Sequence, residues 1–169
     1  NYMFGQTVAK SAAGRPVTKK GSWKSIRISS PFVDNETLTF FDSWGLEADL
    51  APEWEQEIRK KLTANWNEEV ICGVIFCLSY ALRIQEFELR MLRLLMELGY
   101  KVLVVITHAD ASNYNTLKAN YHQRIETACE KYKSSYAIVD ACLMSMKKKV
   151  GSCTAFGKEE IIKKLDQFS

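Results

Sequence analysis

Glycine and proline are scarce in this chain of 169 residues, at eight and three, which excludes a collagen-like repeat and a low-complexity linker. No apolar run approaches the ~18 residues that a membrane-spanning helix needs, so a soluble protein with no membrane partner is expected. Neither sign of charge dominates: 23 basic residues face 20 acidic ones, for a net +3. The one local excess, Lys147-Lys148-Lys149, is short and reads as a solvated loop, so no dedicated nucleic-acid surface is expected. Cysteines at the close pairings of a zinc ribbon are missing. The five present, Cys72, Cys77, Cys129, Cys142 and Cys153, are odd in number and lie mostly in apolar segments. They are expected to be core thiols of a cytoplasmic protein, since the sequence also carries no secretory leader. What remains is 47% hydrophobic and 25% charged, the composition of one globular domain with a full core. The first residue is Asn1 rather than Met, so either cleavage or a longer parent chain is expected.

Strand-like and helix-like segments alternate along the chain, with no internal repeat. Lys24-Ser-Ile-Arg-Ile-Ser29 alternates apolar and polar residues as an edge strand does, and Asp34-Asn35 supplies a turn before Thr37-Leu-Thr-Phe-Phe-Asp42, so a hairpin is expected. Pro52 suits a first helical turn, after which Trp54, Ile58, Leu62 and Trp66 form one apolar stripe. The unbroken apolar run 70–78 predicts a central strand covered on both faces. Helical spacing over 84–98 ends at Gly99, and 101–107 predicts a second buried strand. A helix from about Ser112 to Tyr132, with Tyr114, Leu117, Tyr121, Ile125 and Cys129 inward, leads to a strand at 136–140 and a last helix near 158–168. Such alternation predicts a three-layer α/β/α domain with a mostly parallel sheet.

Ligands of such folds bind beyond the carboxyl ends of the strands. Asp42-Ser-Trp-Gly45 leaves one strand: its carboxylate can hold Mg²⁺ through water while the glycine amide approaches a phosphate oxygen, although Asp and Gly also make ordinary turns. Thr107-His-Ala-Asp110 leaves another, and a carboxylate there can accept the N1–H and exocyclic amine of guanine, a donor pair that adenine lacks; equally, Asp110 can cap the following helix. Gly14-Arg-Pro-Val-Thr18 precedes the hairpin, and the Thr18 hydroxyl can either ligate Mg²⁺ or serve a turn.

Together, the order and spacing of these segments resemble a G domain of the phosphate-loop GTPases, nearest to the Era-like and ribosome-binding-GTPase branch of the translation-factor-related class. The resemblance covers the whole chain, 1–169. Asn1-Tyr-Met-Phe-Gly5 resembles the segment that follows the phosphate loop. Gly14 to Thr18 resembles the first switch, Asp42 to Gly45 the second, and Thr107 to Asp110 the guanine-reading motif. Asp140-Ala141-Cys142 occupies the place of the fifth motif, where a backbone amide meets the guanine O6, and Phe156-Gly-Lys-Glu-Glu-Ile161 resembles the entry to the final helix. The resemblance implies a switch that binds GTP with Mg²⁺ and hydrolyses it slowly. Thr18 and Asp42 would serve the metal, and Gly45, Thr107, His108, Asp110, Ala141 and Cys142 the nucleotide.

The departures are specific. No Gly-x-x-x-x-Gly-Lys-Ser/Thr occurs, and the strand that precedes that loop in the family is missing too, which predicts a G domain incomplete at its N-terminus. His108 stands where the family has Lys, whose stem lies along the base. Leu46 stands where Ras-like members orient water with Gln, so no catalytic residue is assigned. Trp44 replaces a frequent Pro, with packing of the second switch on the neighbouring helix as the simplest expectation. The resemblance also implies GTP and GDP, a protein partner and nucleotide-dependent dimerisation as associations. The rival expectation is a degenerate, non-catalytic G domain acting as an interaction module; a Rossmann-like binder is weaker, because no Gly-rich turn follows a strand.

Overall fold

The computed structural model describes residues 23–30, 37–63, 71–80, 82–109, 114–142 and 156–168. The chain divides into two compact units, Asn1–Ala64 and Asn65–Ser169, where one domain is expected from the sequence; each unit is described by itself.

In the first unit, β1 (Lys24–Ser29) and β2 (Thr37–Asp42) form an antiparallel pair whose register runs from Lys24 opposite Asp42 to Ser29 opposite Thr37. This is the antiparallel pairing that the sequence predicts; the expected turn at Asp34-Asn35 lies outside the described residues. Ile26 is buried while Ser25, Arg27 and Ser29 on the other face are exposed, so only one face of β1 is covered. A 3-10 turn, Ala48–Leu50, leads into α1 (Ala51–Thr63), with Pro52 in its first turn, where a missing N–H costs nothing. Ala51, Trp54 and Ile58 are its buried residues, spaced as a helix face requires. Trp66, the last member of the expected stripe, lies outside the described residues.

The second unit contains β3 (Gly73–Ser79), α2 (Glu86–Glu97), β4 (Lys101–Thr107), α3 (Tyr114–Ala128), β5 (Tyr136–Asp140) and α4 (Lys158–Asp166). Its three strands are parallel in the order β3-β4-β5, so the mixed α/β class and the parallel sheet follow the sequence pattern. Val102 to Ile106 are all buried, which means that both faces of β4 are covered; α2 and α4 pack on it, and α2 also touches α3. At the start of α2 the Gln85 N–H donates to the Glu88 carboxylate at 2.7 Å, one half of a capping box. Burial lifts the Glu88 carboxyl above its ordinary value, and that hydrogen bond partly opposes the rise.

Three sequence expectations are corrected here. β3 is the edge strand and β4 the central one among the described residues: Phe76 and Leu78 are buried, whereas Ile75 is half-buried and Cys77 exposed. A continuous apolar run does not distinguish a strand buried on both faces from one covered on a single face. Cys72 and Cys77 are accordingly exposed rather than core thiols, while Cys129 and Cys142 are buried as expected; Cys153 lies outside the described residues. Leu117 is 46% exposed, although Ile125 further along α3 and Cys129 just beyond it are fully buried. The inward stripe of α3 therefore covers only its C-terminal half.

Candidate functional site

In the second unit the parallel register brings the exits of β4 and β5 side by side, with Ile106 opposite Asp140. Beyond the last ladder pair the two exits stay tied. The Ala141 N–H donates to the Ile106 carbonyl at 2.8 Å, and the Ala109 N–H donates to the Ala141 carbonyl at 3.2 Å. The β3 and β4 exits are joined as well: the Tyr80 N–H donates to the Thr107 carbonyl at 2.9 Å and the Thr107 hydroxyl to the Leu78 carbonyl at 3.1 Å. Thr107, expected beside the nucleotide, thus spends its hydroxyl proton on strand pairing.

His108 leaves the strand in the left-handed region, at φ 59°, with its side chain exposed. His tolerates that conformation better than bulkier or β-branched residues do, and Ala109 beyond it is buried. Asp110, the expected guanine reader, lies outside the described residues, as does Thr18.

Ala141 and Cys142 are buried, and both amides are already donated, the first to Ile106 and the second to the Phe156 carbonyl at 3.2 Å. Neither keeps a backbone donor for a base in this structure; what they offer a ligand is a packed wall. Phe156 donates in return to the Cys142 carbonyl at 3.1 Å, and Gly157, at φ 92°, lies directly over Asp140 and Ala141. Asp140 faces α3, where Lys118 and His122, one turn apart, reach its two carboxylate oxygens at 2.5 and 2.7 Å. The i,i+4 spacing of two donors on a helix that precedes an acid-terminated strand was the available sequence signal for this cluster.

Tyr121 is also on α3, and its hydroxyl lies 2.9 Å from the carbonyls of both Ser79 and Leu82, capping the β3 exit. Burial, followed by the nearby negative charge of Glu88, pushes its phenol up to about 12, with Arg124 partly opposing the shift.

In the first unit Asp42 is the last residue of β2, and the loop 43–47 connects it to the turn ahead of α1. Trp44, the departure from the family pattern, is only 3% exposed. Its indole N–H donates to Glu57 Oε2 at 2.8 Å, and its carbonyl accepts from the Trp54 indole at 3.3 Å and the Ser43 hydroxyl at 3.2 Å. The other oxygen of Glu57 accepts the Trp23 indole N–H. Sequence reading missed Glu57, because its partners are 13 and 34 residues away.

Among the described residues no group of three or more His, Cys, Asp or Glu side chains is placed to hold a metal ion, and no helix is long and apolar enough to cross a membrane. Neither a protein-family model nor a curated protein matches this chain.

Proposed function

We propose that the protein is a GTP-binding switch of the G-domain type, in which Asp110 reads guanine and the Gly45 N–H meets the terminal phosphate. Thr18 and Asp42 would serve the Mg²⁺ that accompanies the nucleotide. The observation that carries this reading is the position of Thr107-His108-Ala109. This segment leaves a parallel strand buried on both faces, at its carboxyl end and beside the exit of the next strand, which is where open α/β sheets bind ligands. In the other unit, Asp42-Ser-Trp-Gly45 likewise begins on the last residue of a strand. The metal demand is compatible with the acids present: Mg²⁺ in nucleotide sites keeps several waters and takes one or two carboxylates plus phosphates, so a three-acid cluster is not required. Hydrolysis is slow on this reading, since Leu46 stands where a Gln would orient water. The setting is the cytoplasm, with a protein partner or a second copy completing the site.

The competing reading is an interaction module that keeps the fold without the chemistry. Two observations favour it: the amides of Ala141 and Cys142 are spent inside the protein, and the exposed His108 replaces a base-covering Lys.

Calorimetric titration of the full-length natural protein with GTP and with XTP, each with Mg²⁺, separates the two. The switch predicts GTP binding, and Asp110→Asn is expected to shift preference toward XTP by at least about tenfold, because a reversed acceptor leaves guanine donors unpaired. Unchanged selectivity removes Asp110 from its role. Absence of binding to either nucleotide favours the interaction module.

A further inference from the structure

We propose that Trp54 and Glu57, one turn apart on α1, are positioning residues that fix the Trp44–Gly45 peptide and turn the Gly45 N–H outward as a preset donor for an anion. Residue 44 is gripped at both ends. Its indole N–H is held by the Glu57 carboxylate at 2.8 Å and its carbonyl by the Trp54 indole at 3.3 Å. Positions 54 and 57 share a helix face, so α1 supplies both grips as a rigid pair. The first is charge-assisted and therefore the stronger of the two.

The orientation of Gly45 follows from peptide geometry. No peptide bond in the described structure is cis. In a planar trans unit the carbonyl and the following N–H point in opposite directions. Because Trp54 draws the Trp44 carbonyl toward α1, the Gly45 N–H points away from that helix, and it has no acceptor among the described residues. Glu57 stabilises this arrangement further: with the Trp23 indole on one oxygen and Trp44 on the other, its carboxylate joins the start of β1 to the loop that follows β2. Gln in its place keeps one acceptor and sets an NH₂ group against an indole N–H, so one of the two bonds must fail.

The ligand class rests on the function proposed above, namely the terminal phosphate of a nucleoside triphosphate. The positioning itself does not, which allows two independent measurements on the full-length natural protein. Hydrogen exchange of the Trp44 indole N–H and the Gly45 amide, followed by NMR, reads the grip without nucleotide. Glu57→Gln is expected to speed exchange of the Trp44 indole by at least about tenfold and to move the Gly45 amide resonance; unchanged exchange and an unmoved resonance overturn the grip. Titration with a non-hydrolysable GTP analogue and with GDP, each with Mg²⁺, reads the consequence. Glu57→Gln is expected to weaken the triphosphate by about tenfold and leave GDP unchanged; equal loss for both nucleotides identifies a merely structural role and overturns the proposal. If the wild-type protein binds neither nucleotide, the phosphate assignment falls, while the exchange measurement still decides whether the peptide is held. Should Glu57→Gln unfold the protein, Trp54→Phe keeps an aromatic ring at this buried position and removes the indole donor to the Trp44 carbonyl, leaving only the Ser43 hydroxyl on it. It is then expected to move the Gly45 resonance and weaken the triphosphate alone, and failure to do either refutes the positioning claim.

Discussion

Gly99 and Gly157 have almost the same left-handed backbone, at φ 88° and 92°, but opposite surroundings. A Cβ added at Gly99 meets nothing within 4 Å, whereas one at Gly157 lies 2.7 Å from the Asp140 carbonyl oxygen and from the Ala141 Cβ, and 2.8 Å from the Ala141 Cα. The Gly157 neighbours are backbone, or a Cβ fixed to it, so no flexible side chain can swing aside. Gly99→Ala therefore carries only the conformational cost of an L-residue in this region, about 1–2 kcal/mol. Gly157→Ala carries the same cost plus that of overpacking a rigid contact, about 1–3 kcal/mol more. The excess is the price of the steric contact, separated from the dihedral. Urea unfolding of the wild type and the two variants measures it. With an m-value of about 2 kcal/mol/M, an excess of 2 kcal/mol lowers the midpoint of Gly157→Ala by roughly 1 M relative to Gly99→Ala. Equal midpoints would refute the close approach of Gly157 to the β5 exit, and with it the claim that the Phe156–Gly157 segment walls the Ala141–Cys142 face.

Leu103, in the central strand and with no exposed surface, is expected to cost about 2–5 kcal/mol when changed to Ala, measured by the same unfolding assay; a loss below 1 kcal/mol would deny β4 its place at the core. Alkylation at neutral pH, followed by peptide mass spectrometry, is expected to label Cys72 and Cys77 in the native protein and to reach Cys129 and Cys142 only after unfolding. Alkaline stability gives a signed test. Burial pushes the Cys129 thiol from 9.0 up to about 11, with Arg93 partly opposing, and the Tyr121 phenol from 10.0 up to about 12. Both groups bind their proton more tightly in the folded state, so their stabilisation is complete below pH 9 and is lost as pH rises through the folded values. The Tm is expected to fall across that window, with a shallower slope in Cys129→Ala; a slope unchanged by that substitution removes the thiol from the account.

Much of the fold was legible because its signals are local. Lys101–Thr107 is a strand over the residues that its Val-rich run marks, and the left-handed Gly99 closes the helix before it. Strand β1 follows from period-two alternation, and Pro52 sits where a first turn accepts it. Trp44 shows where such reading stopped: packing on the neighbouring helix is the expectation, but a buried indole also needs an acceptor, and that acceptor, Glu57, is supplied 13 residues on. Leu117 fails for a related reason, since a helical stripe gives a facing direction but not how far the neighbouring surface extends.

Residue order alone determined the element types, the alternation of strands and helices and the placement of Asp42 and Asp140 on the last residues of their strands, because backbone propensity and hydrophobic period act over one or two turns of chain. Tertiary structure decided which strand is central and which cysteines are buried. It also decided that Ala141 and Cys142 have no amide to spare and that Trp54 and Glu57 set the direction of the Gly45 N–H. These are properties of pairs far apart along the chain, and a hydrogen bond or a buried face exists only once both partners are in place.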